Sequence, residues 1–241
     1  MSAQVRANGL GVRFLFDRQG RPVTPTLGRL RRRGEVRWGL RGVSFEAGPG
    51  EGIALIGRSG AGKTSLLRAV AGVYPADEGG VQVSGRRASL LATDAGLMSP
   101  LTGRENAQLL AVLAGLSRRE AGERMAAIER EAGIHEALGR AVGSFSLGMR
   151  ARLAFAAADR ADPEILLLDE VHEAFDHEFR NVLERRADEL LGAGGIVMAA
   201  GHDHPMLERL CRRALLFDEG RLVADGSFVD VRDDYLARTA G

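Results

Sequence analysis

The sequence is poor in cysteine, in aromatic residues and in long apolar runs. Its one cysteine, Cys211, cannot form a disulfide within the chain, so we expect no disulfides and a reducing setting. The longest apolar stretch, near Leu109 to Leu116, is far shorter than the roughly 18 to 20 residues that cross a bilayer. The first residues also lack the apolar core of a signal peptide. We therefore expect a cytosolic chain that does not itself cross a membrane.

An excess of charge of one sign is also lacking. The 33 lysine and arginine residues face 32 acidic residues, which leaves a net charge of +1 and no general attraction for nucleic acid. We expect no nucleic-acid partner. Lysine itself is nearly absent, because Lys63 is the single lysine among the 33 basic residues. A compact ammonium on a thin stem differs from a broad guanidinium, which predicts that Lys63 occupies a site where arginine would not serve.

Short β-type runs alternate with helical patterns along much of the 241 residues. This alternation predicts an α/β fold with a largely parallel sheet covered on both faces. A helix with one apolar face is predicted over 177–191, and the segment from Thr102 to Asp159 is helical throughout, which indicates a helical subdomain inserted into the core. The β-type runs are 43–45, 52–56, 81–83, 88–91, 165–168, 196–200 and 214–217.

A basic segment, Asp17 to Arg37, holds seven arginines, two acidic residues and two prolines. Its composition is typical of a loop. Two interpretations stay open: a solvated loop, or a surface that faces lipid headgroups or a membrane partner.

The apolar run Gly52 to Ile56 is followed by Gly57-Arg58-Ser59-Gly60-Ala61-Gly62-Lys63-Thr64 and then by an amphipathic helix. This is the P-loop pattern G-x-x-x-x-G-K-[ST] in its strand-loop-helix context. Glycines allow backbone N–H groups to curl around a phosphate, and a helix N-terminus adds partial positive charge. Lys63 would reach the β- and γ-phosphates and Thr64 would bind Mg²⁺. The expected nucleotide contacts are Gly57, Arg58, Ser59, Gly60, Ala61, Gly62, Lys63, Thr64 and Ser65.

A second apolar run, Ile165 to Leu168, ends in the carboxylates Asp169 and Glu170. Ligands of α/β folds bind at the carboxyl ends of the strands. Asp169 would hold Mg²⁺ through water, and Glu170 would act as the general base on the attacking water. Taken alone, the segment could also be a surface acidic pair after a core strand.

Between these elements lies a segment that we call the signature segment, Ser144-Phe145-Ser146-Leu147-Gly148-Met149-Arg150-Ala151-Arg152-Leu153, which leads into a helix predicted over 154–159. It resembles the signature motif of the ATP-binding cassette (ABC) ATPases, usually L-S-G-G-Q. Ser146 and Gly148 match directly, whereas Leu147 and Met149 depart from the usual Gly and Gln. The resemblance implies ATP and Mg²⁺ as ligands. It also implies a homodimer in which Ser146, Gly148 and Met149 of one copy cap the nucleotide of the other.

The resemblance extends to two further positions and covers nearly the whole chain. It implies that His202 contacts the γ-phosphate and that Asp176 communicates across the dimer. A metal site at His202 and His204 is the competing hypothesis, and two histidines without further ligands make a poor one. The family implies one nucleotide-binding domain over 1–241, with an antiparallel β portion. Its parts are an α/β core (1–100 and 160–241), a helical subdomain with the signature (101–159) and the basic insertion (17–37).

Two positions of the family fit less well. Thr93 stands near the place of the usual Q-loop glutamine and could approach Mg²⁺ only through its hydroxyl or a water. The aromatic residue that stacks on adenine is predicted to be Phe14, with Phe16 and Trp38 as rivals. A core position is the other interpretation of Phe14.

Together, the signature variant, the segment 101–106, the absent Q-loop glutamine and the basic insertion resemble the ATPase subunits of polysaccharide exporters. That resemblance implies export of a polysaccharide or glycolipid through a separate permease, from the cytoplasmic face of the bacterial inner membrane. Because the chain ends at Gly241, we expect no C-terminal carbohydrate-binding domain. The alternatives are a lipid or drug exporter, or a soluble ABC ATPase that acts on nucleic acid or ribosomes.

Overall fold

The structure, a computed structural model, describes residues 2–16, 35–91, 96–170 and 174–239. Within these ranges strands and helices alternate over much of the chain. The strands are β1 (Gln4–Phe16), β2 (Glu35–Ala47), β3 (Gly52–Ile56), β4 (Glu78–Ser84), β5 (Arg87–Leu90), β6 (Ile165–Asp169), β7 (Ile196–Ala200), β8 (Arg213–Asp218) and β9 (Arg221–Ser227). The helices are α1 (Lys63–Val70), α2 (Gly103–Leu113), α3 (Arg118–Ala132), α4 (Leu147–Asp159), α5 (His177–Gly192), α6 (His204–Leu210) and α7 (Phe228–Thr239), with short 3-10 helices at His135–Ala137 and Val142–Ser144.

The larger sheet has six strands in the order β5-β6-β7-β3-β8-β9, and every neighbouring pair is parallel except β8 with β9. Every residue of β3, β6 and β7 is buried, because both faces of the sheet are covered. Helices α4 to α7 cover one face, while α1 and the smaller sheet cover the other. The α/β class and all seven predicted β-type runs are therefore confirmed.

The smaller sheet is antiparallel, in the order β2-β1-β4. Its central strand β1 changes register against β2 three times between Ala7 and Arg13. The sequence analysis did not predict β1, because Asn8-Gly9 and Gly11 are turn signals that here accompany bulges within one long strand. It also did not predict β9, whose residues alternate between exposed and half-buried positions at the sheet edge.

Helices α2, α3 and α4 enclose a hydrophobic cluster of their own, which confirms the helical pattern over 102–159. Capping boxes start two of them, Thr102 with Glu105 and Ser117 with Glu120. The predicted start of the third helix at residue 154 is wrong. Helix α4 begins at Leu147, because the Ser146 hydroxyl accepts a hydrogen bond from the Met149 N–H (3.2 Å) and caps the helix there.

None of the helices in the described ranges is both long and apolar enough to cross a bilayer. Two features of the sequence analysis lie outside those ranges. They are residues 17–34 of the basic segment and Thr93.

Candidate active site

Three adjacent parallel strands, β6, β7 and β3, place several predicted site residues next to one another at the carboxyl ends of the strands. Ala200 at the end of β7 pairs with Asp169 of β6 on one side and with Leu55 of β3 on the other. The segments that follow these strands therefore start side by side. They are the P-loop, Glu170 and the loop with His202.

The glycines of the P-loop have the conformations that the motif requires. Gly57, Gly60 and Gly62 all have positive φ, at 145°, 80° and 113°. A Cβ at Gly57 would lie 2.3 Å from the carbonyl oxygen of Phe217, and one at Gly62 would lie 2.7 Å from that of Gly39. Larger residues would therefore push this loop away from the elements that shape it.

Lys63 lies inside the loop that precedes it and is only 6% exposed. Its Nζ donates to the Gly57 carbonyl (2.6 Å) and to the Arg58 carbonyl (3.1 Å). Burial lowers the pKa of Lys63, and the charges of Glu170 and Asp169 oppose that shift. A narrow ammonium between closely spaced carbonyls agrees with the expectation that arginine would not serve here.

Thr64 and Asp169 are brought together at the start of α1. Asp169 is 8% exposed and its pKa is raised by burial, while a hydrogen bond with the Thr64 side chain opposes the rise. Oxygen donors of this kind suit Mg²⁺, which usually takes one or two carboxylates and completes its shell with water and phosphate. Accordingly, the described residues form no group of three or more His, Cys, Asp or Glu side chains that could hold a metal alone.

Glu170 has an unusual backbone for a residue other than glycine, with φ at 58°. Its N–H donates to the Ala200 carbonyl (2.8 Å), which holds it beside β7. The side chain is about half exposed, and its Oε1 lies 3.4 Å from Nε2 of His202. Left-handed residues of this kind cluster at functional sites. The ends of β6 and β7 thus place a carboxylate beside an imidazole, both half exposed.

The signature segment lies in the helical part of the chain and lines an open cavity of about 650 Å³. Ser146, Gly148, Met149 and Asp176 all line it, so the structure brings these four predicted residues together. None of the lining residues belongs to the P-loop. Within one chain, then, the predicted nucleotide contacts fall into two separate groups.

Two parts of this cavity were not predicted from the sequence. One is Arg152, whose guanidinium pairs with the Asp176 carboxylate and lies over the Phe179 ring, 5.3 Å from its centroid. Its place three residues after Met149 on α4 could have been recognised as the side facing the start of α5. The other is the segment 133–137 after α3, for which the sequence offered no signal.

The comparisons with known proteins agree with this arrangement. The sequence profile of the family described as ABC transporter matches residues 40–173, more than half of the chain. The chain belongs to the ABC transporter family. Membership confirms the expected fold class and the expectation of a nucleotide-binding ABC-type ATPase.

Several curated relatives are polysaccharide-export proteins by name, as the sequence analysis expected. The O-antigen export system ATP-binding protein RfbE of Yersinia enterocolitica is 36% identical over 181 residues, which are 75% of this chain and 76% of that protein. The teichoic acids export ATP-binding protein TagH of Listeria innocua is 31% identical over 198 residues, 82% of this chain and 59% of that protein.

Solved structures of cassettes have the same fold. An ATP-binding subunit of an ABC transporter superposes with a TM-score of 0.75 at 24% identity, covering 97% of this chain and 94% of that one. A dimeric ATP-binding cassette in a post-hydrolysis state with ADP and Pi gives 0.76 at 18% identity, covering 93% and 98%.

The aromatic candidates for the adenine contact of this ABC protein lie on opposite faces of the β1–β2 pair. A Cβ at Gly39 would lie 2.2 Å from Cε2 of Phe14 and 3.1 Å from Oγ of Ser65, so Phe14 faces α1. It also meets Tyr74 edge to face at 5.4 Å. Trp38 pairs with Arg13 on the other face, and its ring lies under that guanidinium at 5.2 Å. The side chain of the third candidate, Phe16, lies outside the described part.

The competing metal pair of His202 and His204 gains no support from the fold. His204 meets the Tyr235 ring edge to face at 5.6 Å, and burial lowers the pKa of its imidazole. Its ring therefore packs against α7, whereas His202 lies beside Glu170. The charge of His202 also lowers the pKa of His204, so the two imidazoles interact, but among the described residues no third His, Cys, Asp or Glu joins them in a metal site.

Proposed function

We propose that the chain is one nucleotide-binding domain that binds and hydrolyses ATP, dimerises on it and powers a separate membrane-spanning exporter. The observation that carries the proposal is the convergence of the P-loop, Asp169-Glu170 and His202 at the ends of adjacent parallel strands. Under this proposal the α/β core comprises 1–100 and 160–241, and the helical subdomain with the signature segment comprises 101–159.

In this proposal the P-loop residues bind the phosphates of ATP, and Lys63 contacts the β- and γ-phosphates. Thr64, and Asp169 through water, would hold Mg²⁺, whose charge would neutralise that of the phosphates. Glu170 accepts a proton from the water whose oxygen attacks the γ-phosphorus, while the bond from phosphorus to the β-phosphate oxygen breaks. His202 orients the water and the γ-phosphate from the neighbouring strand end.

The separation of the two groups of contacts supports the proposed dimer. Ser146 and Gly148 stand at the N-terminus of α4, which attracts a phosphate, yet they line a cavity without any P-loop residue. A second copy placed head to tail would bring its P-loop to this cavity. Met149 and Asp176 would then lie at the interface, and hydrolysis would remove the phosphate that bridges the copies.

The first experiment replaces Glu170 with Gln. The amide cannot take the proton, so we expect ATP binding to persist, turnover to fall by about 10² to 10⁴-fold and an ATP-bound dimer to accumulate. Light scattering after size exclusion and phosphate release measure these outcomes. Glu164→Gln, at the opposite end of β6, is the matched control and should keep normal turnover. Normal turnover in Glu170→Gln would overturn the proposal.

We also propose that the cargo is a polysaccharide or glycolipid and that the chain lies at the cytoplasmic face of the bacterial inner membrane, bound to its permease. The support is the name of the relatives, which are O-antigen and teichoic acid exporters. Affinity purification from native membranes should recover an integral membrane protein with a lipid-linked glycan. Recovery of a permease with lipid or drug would change the cargo, and recovery with ribosomes or nucleic acid would overturn transport.

A further inference from the structure

One guanidinium on α5 joins the two loops that flank the proposed hydrolytic residues. We propose that Arg180 is a positioning residue that holds His202 in place, by tying the start of α6 to the segment before Asp176. The inference rests on the proposed function, because it concerns the imidazole that would orient the γ-phosphate and the water.

Arg180 makes two directed contacts with groups from different loops. Its Nη1 donates to Oδ2 of Asp203 at 2.8 Å, and its Nε donates to the Phe175 carbonyl at 3.1 Å. Both donors belong to one rigid planar group, so the positions of the two acceptors are fixed relative to each other. Lysine could not reproduce this pair of directions.

The surroundings strengthen the ion pair. The side chains of Arg180 and Asp203 are 28% and 25% exposed, so solvent screens their attraction less than on an open surface. Arg180 lies in the first turn of α5, where the helix dipole disfavours a cation. The contacts of Arg180 with Phe175 and Asp203 therefore offset the unfavourable interaction of its charge with the helix dipole.

Asp203 transmits the constraint to His202, its neighbour in the chain. Its Oδ1 accepts from the Met206 N–H (3.1 Å) and caps α6, while its Oδ2 accepts from Arg180. Both oxygens are engaged, which fixes the backbone next to His202.

The second contact reaches the segment that precedes Asp176. Phe175 is buried and packs against Phe155 and Phe179, so its carbonyl is a firm anchor. Asp176 follows directly and caps α5 by accepting from the Phe179 N–H at 2.9 Å. If a second copy displaced Asp176, the neighbouring Phe175 carbonyl would move Arg180, and Arg180 would in turn move the Asp203 carboxylate.

The test is Arg180→Met in the full chain, in the native background and in His202→Ala. We expect kcat to fall about tenfold while the affinity for ATP stays within about twofold, because the P-loop does not touch Arg180. In the His202→Ala background Arg180→Met should cause no further loss, since its effect acts through the imidazole. Arg180→Lys should give an intermediate kcat.

Arg209→Met is the matched control. Arg209 also joins α5 to α6, through Nε to Oε1 of Glu184 at 2.6 Å, but among the described contacts it bonds to neither Phe175 nor Asp203. It should lower stability slightly and leave kcat unchanged. Thermal unfolding of every variant separates a general loss of folding from a loss of positioning.

Three outcomes would overturn the inference: an unchanged kcat, a loss that appears in ATP affinity, or an equal loss with and without His202. The proposed function fails separately, if Glu170→Gln hydrolyses ATP normally. An inactive Glu170→Gln variant with a fully active Arg180→Met variant would reject the positioning role alone.

Discussion

The P-loop region and the signature region differ in where their polar groups point. In the P-loop region Lys63 and Asp169 are buried and bonded to neighbours in the same site. In the signature region Ser146 is exposed at a helix N-terminus and lines an open cavity of about 650 Å³. Lys63 and Asp169 find their partners within the chain, whereas Ser146 is exposed to solvent. The difference explains why a second copy is proposed for the signature region and not for the P-loop.

The largest expected effect comes from replacing the buried lysine of the P-loop region. Lys63→Ala should lower turnover by about 10² to 10³-fold, because it removes the buried cation that we propose contacts the β- and γ-phosphates. Lys63→Arg should lose nearly as much, since the space beside the Gly57 carbonyl fits an ammonium. Steady-state phosphate release measures both. Arg119→Lys, on the surface of α3, is the control, and activity in Lys63→Arg would contradict the fit.

A smaller effect is expected in the signature region, where a substitution should lower turnover without changing the affinity for ATP. Ser146→Ala should lower turnover about 10- to 100-fold, because one phosphate donor is lost, while the affinity of the monomer for ATP stays unchanged. Loss of the cap also costs about 1 kcal/mol of folding free energy. Ser117→Ala removes an equivalent cap on α3, away from the cavity, and should lose only stability. Equal turnover in the two variants would place the signature outside catalysis.

The helical region should contribute its own pH dependence to stability. Glu131 of α3 pairs with Arg160 (2.5 Å) beside Asp159, and burial followed by the charge of Asp159 raises its pKa to about 7. The folded state then binds the proton more tightly than the unfolded state. This contribution to stability is complete below pH 4.5 and is lost as pH rises through about 7.

Glu131→Gln should therefore remove that dependence and make the protein more stable than the native chain at pH 8, by roughly 1 to 2 kcal/mol. Urea unfolding at pH 5 and pH 8 measures the difference. Glu123→Gln, exposed on the same helix, should leave the pH dependence intact. The same stability difference between pH 5 and pH 8 in Glu131→Gln as in the native chain would assign the dependence to another group.

The smallest expected effect concerns adenine. Phe14→Leu should weaken ATP binding about fivefold, because stacking on a base contributes about 1 kcal/mol. Trp38→Leu, on the opposite face of the same strand pair, should leave the affinity unchanged. Fluorescent nucleotide titration distinguishes the two. If Trp38→Leu alone weakened binding, Phe14 would be a core residue.

The strands of the core and the P-loop could be predicted because apolar runs and glycine spacing are local signals. Strand β1 could not, since its bulges place turn-like residues inside a strand that only long-range pairing stabilises. The start of α4 was mistaken although a local signal existed, the serine cap at Ser146.

Within the candidate site, the sequence names candidate residues but leaves several of their spatial relations open. The convergence of Glu170 and His202 follows from strand order, which the sequence leaves open. The left-handed backbone of Glu170 and the bridge through Arg180 depend on tertiary contacts that no local pattern records. Sequence spacing therefore identifies candidate residues, whereas tertiary packing determines how they are arranged.

The two carbonyl partners of Lys63 belong to the same loop that we propose binds the phosphates. Any anion that recruits the ammonium must compete with these acceptors, so the measured affinity is a difference between two sets of bonds. A weak acceptor such as chloride gains little from that exchange, whereas a phosphate group offers several strong oxygens at once. In the proposed site, this competition would favour anions that are strong hydrogen-bond acceptors.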